Sequence, residues 1–425
     1  MIIAILATLI AGSAPARADR LILDRVVLVM RHGIRPPTKA PPLPEGFTRS
    51  AWPQWPVPTA YLTPHGAEAI RLLAGFERQD YAAAGLFAAN GCLAPDTVSI
   101  WADTDERTVK TGEAFAEGLS PGCGLKTGHE AGNDDPFFSP IQTGTVDFDA
   151  TKAVAAIEAW VGPGGVQAVA DAHRAELDRL QAVLGDCCAA TLCPPSGGAS
   201  CALSDLPTVI EQGRGAPKLK GAMASGSTLS EILLLEYLEG KPMAEVGFGR
   251  IDRAGIMAAL ALHPAEFSLL HRSPYIAARG AAPLLRRIVE TLDASGKAPK
   301  LSVFVGHDTT LAYLGGALDL HWSAGDYPRD DPPPGATLGF EGLHDAKGRR
   351  FVRLFYEVQT PEQMRALTPL APSAPPIKIY LSLPGCGSSG DETICKAEAF
   401  DHLVKERTVE TRGLASLHRV ETSST

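Results

Sequence analysis

Val26-Val27-Leu28-Val29-Met30 sets five apolar side chains in a row, then gives way at once to Arg31-His32-Gly33-Ile34-Arg35-Pro36-Pro37. An apolar run of this length, stopped by glycine and proline, reads as a strand covered on both faces, the setting of a parallel sheet between helices. In open α/β sheets ligands settle beyond the carboxyl ends of the strands. The polar burst therefore falls where chemistry is expected. Arginine offers a planar fork of donors that matches phosphate oxygens, and two of them flank a histidine here. The plainer alternative is a strand end with solvated arginines and a histidine satisfied by backbone, and a pentad this short does not decide between the two.

Two later stretches repeat the pattern. Thr97 to Trp101 reads as a short strand leading into Ala102-Asp103-Thr104-Asp105-Glu106-Arg107. Asp103 or Thr104 is the expected cap of a helix whose apolar side carries Val109, Ala114 and Phe115. Arg107 then sits in the first turn, where the helix dipole disfavours a cation, which hints at an anion nearby. Leu301 to Val305 is a third strand, followed by Gly306-His307-Asp308-Thr309-Thr310 and a helix through Leu311, Leu314, Ala317 and Leu318. If the three strands run parallel, their ends share one rim. Three arginines, two histidines and an aspartate would meet there. That many fixed cations exceeds the need of a carboxylate and suits a phosphate dianion. A neutral imidazole can attack phosphorus, and a carboxylic acid can protonate the departing oxygen.

The rest of the chain supplies the frame. Lys39 to Pro58 is Pro-rich and holds Trp52 and Trp55, an ordered loop rather than a linker. Thr63-Pro64 opens a helix whose apolar face continues through Ile70, Leu73 and Phe76. Asp149 to about Leu262 changes character: helical patterns at Ala153–Val161, Val166–Leu184 and Leu229–Leu238 are broken by a Pro/Gly/Cys loop near 185–207, with no strand. Thr228-x-x-Glu231 has the form of a capping box, which favours a structural role for Glu231. Thr337 to Glu341, Phe351 to Val358 and Ile377 to Leu383 alternate like half-exposed strands added antiparallel at an edge. The expected fold class is α/β: a mixed, largely parallel sheet flanked by helices, formed by residues 19–148 and 263–425, with a mainly helical domain, 149–262, covering the crevice.

The net charge of −9 speaks against nonspecific nucleic-acid binding. Met1 to Ala18 reads as a secretory signal peptide: Ile2 to Ala11 is almost wholly apolar yet too short to span a bilayer, and Ala16-Arg17-Ala18 fits a small-x-small cleavage site. No Lys or Arg precedes the apolar run. The mature chain is expected to start at Asp19, in the periplasm or outside the cell. Eight cysteines agree with an oxidising compartment. Cys386 with Cys395, and Cys193 with Cys201, suit short disulfide-closed loops. Cys92 and Cys123 flank a strand–helix unit and could also pair. Cys187 and Cys188 stay unassigned, and the spacings from Cys187 to Cys201 lack the two close ligand pairs of a zinc site.

With these residues in place, the sequence resembles the histidine acid phosphatases, specifically their bacterial periplasmic branch of phytases and glucose-1-phosphatases. The resemblance runs through Arg31 to Lys39, the Trp-Pro-x-Trp-Pro stretch, Leu62-Thr63-Pro64, Asp103 to Leu119, Gly306-His307-Asp308 and Gln359 to Arg365. It implies a phosphoglycerate-mutase-like fold and hydrolysis of phosphate monoesters through a phosphohistidine. It implies His32 as nucleophile and Asp308 as proton donor. Arg31, Arg35, Arg107 and His307 would be the phosphate-binding set, and Thr38, Lys39, Asp103 and Glu231 would line the substrate cavity. It also supports disulfides Cys92–Cys123, Cys193–Cys201 and Cys386–Cys395.

Two departures stand out. Thr310 replaces the asparagine that many relatives carry after His-Asp-Thr or His-Asp-Ser. A further family disulfide has no counterpart, since Val146 stands near one expected position and no cysteine follows Cys395. Lys39, available to a second phosphate, leans the substrate toward phytate. The alternatives are a glucose-1-phosphatase or broad acid phosphatase, and, in a different class, a phosphate-ester binding protein without catalysis. The expected partner is a small phosphate monoester met by a monomeric chain, with no nucleic acid, membrane, metal or other cofactor, because the arginines supply the charge. His65, His129, His173, His263, His271, His321, His344, His402 and His418 show no paired metal spacing and read as surface or satisfied residues.

Overall fold

The computed structural model describes residues 21–44, 46–185, 202–213, 215–294, 298–386 and 393–411. The proposed signal segment and Cys187, Cys188, Cys193 and Cys201 lie outside them. The described strands are β1 (Ile22–Arg31), β2 (Val98–Ala102), β3 (Thr127–His129), β4 (Val209–Glu211), β5 (Lys218–Lys220), β6 (Leu301–Gly306), β7 (Thr337–His344), β8 (Arg350–Val358), β9 (Ile377–Leu381) and β10 (Ile394–Lys396). The main sheet runs β10-β8-β7-β1-β6-β2-β3, with β9 also paired to β8. β1, β6, β2 and β3 are parallel, while β7 to β10 extend the sheet antiparallel.

The described helices are α1 (Pro64–Ala83), α2 (Glu106–Leu119), α3 (Ala150–Val161), α4 (Gly165–Ala172), α5 (Arg174–Leu184), α6 (Ala222–Leu238), α7 (Arg253–Ala259), α8 (Leu262–Leu270), α9 (Pro274–Gly280), α10 (Ala282–Asp293), α11 (Asp308–Leu318), α12 (Pro361–Ala366) and α13 (Ala397–Arg407). Side chains alternate across a strand, so the apolar run of β1 feeds two cores. Val26, Leu28 and Met30 pack with α1 and α2. Val27 and Val29 join Phe304, Phe340 and the helices from α3 to α11 on the other face. Val26 to Met30 are all at most 1% exposed, as a doubly covered strand requires.

Several sequence expectations need correction. α2 is capped by Asp105, not Asp103 or Thr104, because the Asp103 carboxylate is engaged by His307 and by the Thr104 amide. The pattern from Val166 to Leu184 is two helices, divided at His173. Residues 149–262 hold the short hairpin β4–β5, whose three-residue strands are too brief for a period-2 signal. β7 is buried on both faces apart from His344, since α10 and α13 cover this end of the sheet. α6 starts at Ala222 after Gly221, which puts Thr228 and Glu231 in mid-helix, so no capping box exists there.

Thr63 caps α1 as expected, its Oγ accepting from the Gly66 amide at 2.8 Å. The same helix start presses on the loop after β1: a Cβ on Gly66 would meet the Ile34 carbonyl oxygen at 2.6 Å. Disulfides join Cys92 to Cys123 and Cys386 to Cys395. On the α1 side of the sheet, Glu77 and Glu357 are buried together, with Lys378 Nζ 3.6 Å from Glu357 and 3.2 Å from Asp80. No described helix is long and apolar enough to cross a membrane.

Candidate active site

Register builds the site. Arg31 at the end of β1 pairs with Gly306 of β6, and Ala102 of β2 pairs with Val305. The next amides continue the ladder: His32 donates to the Gly306 carbonyl at 2.9 Å and Asp103 to the Val305 carbonyl at 2.9 Å. His32, Asp103 and His307 thereby leave the sheet side by side on one rim.

His32 is 1% exposed. Its Nδ1 lies 2.8 Å from the Gly33 carbonyl. A carbonyl only accepts, so Nδ1 carries the proton and Nε2 is the free lone pair of the neutral ring. Burial, then Arg35, Arg107, Arg31 and His307, push its pKa well below the ordinary value. The ring stays neutral deep into the acid range, which is the state a nucleophile needs.

Three guanidiniums surround this imidazole. Arg31 is fully buried; Nη1 donates to the Pro332 carbonyl at 2.7 Å, while Nη2 meets Glu231 and Asp308 Oδ2, the latter at 2.9 Å. Arg35 Nη2 lies 3.2 Å from Glu231. Arg107 Nη2 donates to Asp105 at 2.8 Å and lies 3.4 Å from His307 Nδ1. The Nε–H groups of all three are buried with no partner among the described residues. Such unpaired donors are costly unless an acceptor meets them.

His307 Nε2 donates to Asp103 at 2.7 Å, which fixes the ring, and its centroid lies 5.6 Å from that of His32. Asp308 opens α11, where Oδ1 accepts from the Thr309 amide at 2.8 Å. Burial alone would raise its carboxyl, yet Arg31, His263, His32 and Arg35 outweigh burial and hold it well below the usual carboxylate range. Thr310 is buried and its hydroxyl accepts from the His307 amide at 3.2 Å, so this residue serves the helix start.

The structure thus brings Arg31, His32, Arg35, Arg107, His307, Asp308, Asp103 and Glu231 into one cluster. Thr38 and Lys39 are exposed, and no described hydrogen bond or ion pair joins them to it. Lys39 instead lines a cavity of about 240 Å³ with Pro36, Trp52, Trp55 and Glu236. Two residues of the cluster escape the sequence reading: His263, on a helix with no motif around it, and Asp331, in a proline-rich loop. His263 is buried rather than at the surface, and only its Nδ1 is satisfied. Two donor groups could hold a cation, Glu231–His263–Asp308 and Asp103–Asp105–His307. An arginine already neutralises carboxylates in each, Arg31 in the first and Arg107 in the second.

Residues 22–157 match the histidine phosphatase superfamily (branch 2). The chain is 38% identical to the phytase AppA of Escherichia coli K12 over 93% of its own length and 94% of the relative's. The chain belongs to the histidine phosphatase superfamily, branch 2. A second superfamily member, the glucose-1-phosphatase of Salmonella typhimurium, is 30% identical over 90% of this chain and 92% of its own. In three dimensions this histidine phosphatase is similar to the phytase of Citrobacter braakii, with TM-score 0.84, 33% identity, 92% of this chain and 98% of that one covered. The Hafnia alvei phytase in complex with myo-inositol hexakis sulphate gives TM-score 0.83 at 32% identity, covering 93% of this chain and 98% of that one.

Proposed function

We propose that this histidine phosphatase is an exported acid phosphomonoesterase acting through a phosphohistidine, with phytate as its preferred substrate. The observation that carries the reading is a buried, neutral His32 with Nδ1 tied to a carbonyl, ringed by three arginines whose Nε–H groups lack partners. Arg31, Arg35, Arg107 and His307 bind the phosphoryl oxygens and stabilise the charge of the transferring group. His32 Nε2 attacks phosphorus, the bond to the ester oxygen breaks, and Asp308 in its acid form protonates that oxygen. Water then attacks the phosphohistidine, gives a proton to the Asp308 carboxylate, and the N–P pair returns to Nε2. Entry of a phosphate anion beside Asp308 opposes the arginine field and raises its carboxyl toward the working range.

Asp103 holds His307, and Glu231 divides Arg31 from Arg35. Residues 149–262 act as a cap over the rim. Thr38 and Lys39, on the exposed loop that follows, would reach further phosphates of a polyanion. The phytases among the relatives support phytate; the glucose-1-phosphatase relative supports the second reading, a sugar-phosphate substrate. Rates on phytate, glucose-1-phosphate and p-nitrophenyl phosphate at acid pH decide. Phytate is expected to lead; a large preference for glucose-1-phosphate overturns the phytase assignment, and no turnover of any ester overturns the phosphatase.

A further inference from the structure

Behind Asp308 lies a second ionisable pair. His263 of α8 and Asp331 of the loop before β7 are 2% and 1% exposed, and His263 Nδ1 donates to Asp331 Oδ1 at 2.7 Å. The opposite nitrogen, Nε2, is buried without a hydrogen-bond partner among the described residues. It faces Asp308, 4.0 Å from Oδ2. A buried ring nitrogen without a partner is costly; the carboxylate within 4.0 Å of it is the one that must deliver a proton, with Glu231 in the same cluster.

The groups around His263 make it a proton store. Asp308 of α11, Glu231 of α6 and Asp331 all lie close enough to act on it; burial works against its charge, but they outweigh burial and raise its pKa. Glu266 on the same helix is pushed up to about 7 by burial, so it is neutral in acid and does not compete. His271, just past the end of α8, is pushed down to about 4 by burial and is uncharged too. Arg31 of β1 is spent on Glu231, Asp308 and the Pro332 carbonyl. Asp308 itself is held ionised by this field, and an ionised carboxylate has no proton for a leaving alkoxide.

We propose that the His263–Asp331 pair supplies the proton that Asp308 uses. This rests on the phosphatase reading above. When a phosphate ester draws Arg31 toward its own oxygens, the Nε2 proton of the His263 imidazolium passes to Asp308 Oδ2, leaving neutral imidazole and carboxylic acid. Asp308 gives that proton to the ester oxygen as the P–O bond breaks. Water hydrolysing the phosphohistidine returns a proton to Asp308, which hands it back to His263, so the cycle closes with no net change. The transfer needs the 4.0 Å gap to shorten by about 1 Å to hydrogen-bond range. Asp331 is a positioning residue that fixes the tautomer and keeps the imidazolium charged.

The test compares wild type, His263→Gln and Asp331→Asn on glycerol-2-phosphate, whose alkoxide needs a proton, and p-nitrophenyl phosphate, whose phenolate does not. His263→Gln is expected to lose about 100-fold in kcat on the alkyl ester and stay within about twofold on the aryl ester. The alkaline limb of kcat/KM on the alkyl ester should move about one pH unit toward acid, and by less in Asp331→Asn. Equal losses on both esters, or a limb that stays put or moves to the alkaline side, overturns the proposal. Should His263→Gln fail to melt cooperatively, ¹⁵N-histidine NMR titration of wild type and Asp331→Asn takes its place: His263 must titrate above 6.5 in wild type and lower in the variant, and any other result overturns the proposal. A wild type inert to both esters and to phytate would instead sink the phosphatase reading.

Discussion

A histidine can be a nucleophile only while one nitrogen is bare, and His32 is held in that state by a carbonyl on one side and three cations on the other. The sign follows: a base whose pKa is depressed keeps its lone pair as pH falls, so kcat/KM should hold its plateau well below pH 6.5. Arg107→Gln removes one of those cations. We expect kcat to fall about 10²- to 10³-fold, with the acid limb of the profile moving upward in pH; an unmoved limb with undiminished kcat would take residue 107 out of the clamp. His32, the arginines and Asp308 are legible because each follows an apolar strand in a polar burst. The capping-box reading of Glu231 fails because a Thr-x-x-Glu spacing recurs inside helices as readily as at their starts, and nothing local distinguishes the two; its place in the cavity comes from the resemblance alone. His263 and Asp331 were illegible for a different reason: 68 residues separate them, and only packing brings them together.

At the scale of elements, the precision of the rim comes from two contacts. One is the β1–β6–β2 register; the other is the start of α1, seated against the loop carrying Arg35. Thr63 serves the second, capping α1 through Gly66 and donating its amide to the Ile34 carbonyl at 3.0 Å. Thr63→Ala should cost about 1 kcal/mol of stability, read as a lower denaturant midpoint with the slope unchanged. Gly66→Ala should cost more and also raise KM, since its methyl collides with the Ile34 backbone beside Arg35. A Gly66→Ala protein with wild-type KM would show the two elements to be uncoupled. Element types were readable here because strand runs and helix caps are local signals, whereas the burial of β7 and β8 depends on helices far away in sequence that cover them.

For the whole molecule, the buried Glu77–Glu357 pair sets a pH trend separate from catalysis. Burial, then Glu77, push the Glu357 carboxyl well above its ordinary value, against the pull of Lys378. A carboxyl with a raised folded pKa binds its proton more tightly in the native state, so its stabilisation is full below its unfolded value near about 4.3 and drains away as pH climbs through the folded one. Melting temperature should therefore decline from acid toward neutral pH, and Glu357→Gln should flatten that decline; an equally steep slope in the variant would assign it to other groups. The strand order has a consequence for biosynthesis as well. β6 lies between β1 and β2 yet is made about 200 residues after β2, so a growing polypeptide carries an open slot walled by Val26 to Met30 until residue 306 has emerged. Until then the apolar groove stays uncovered and open to association with other chains.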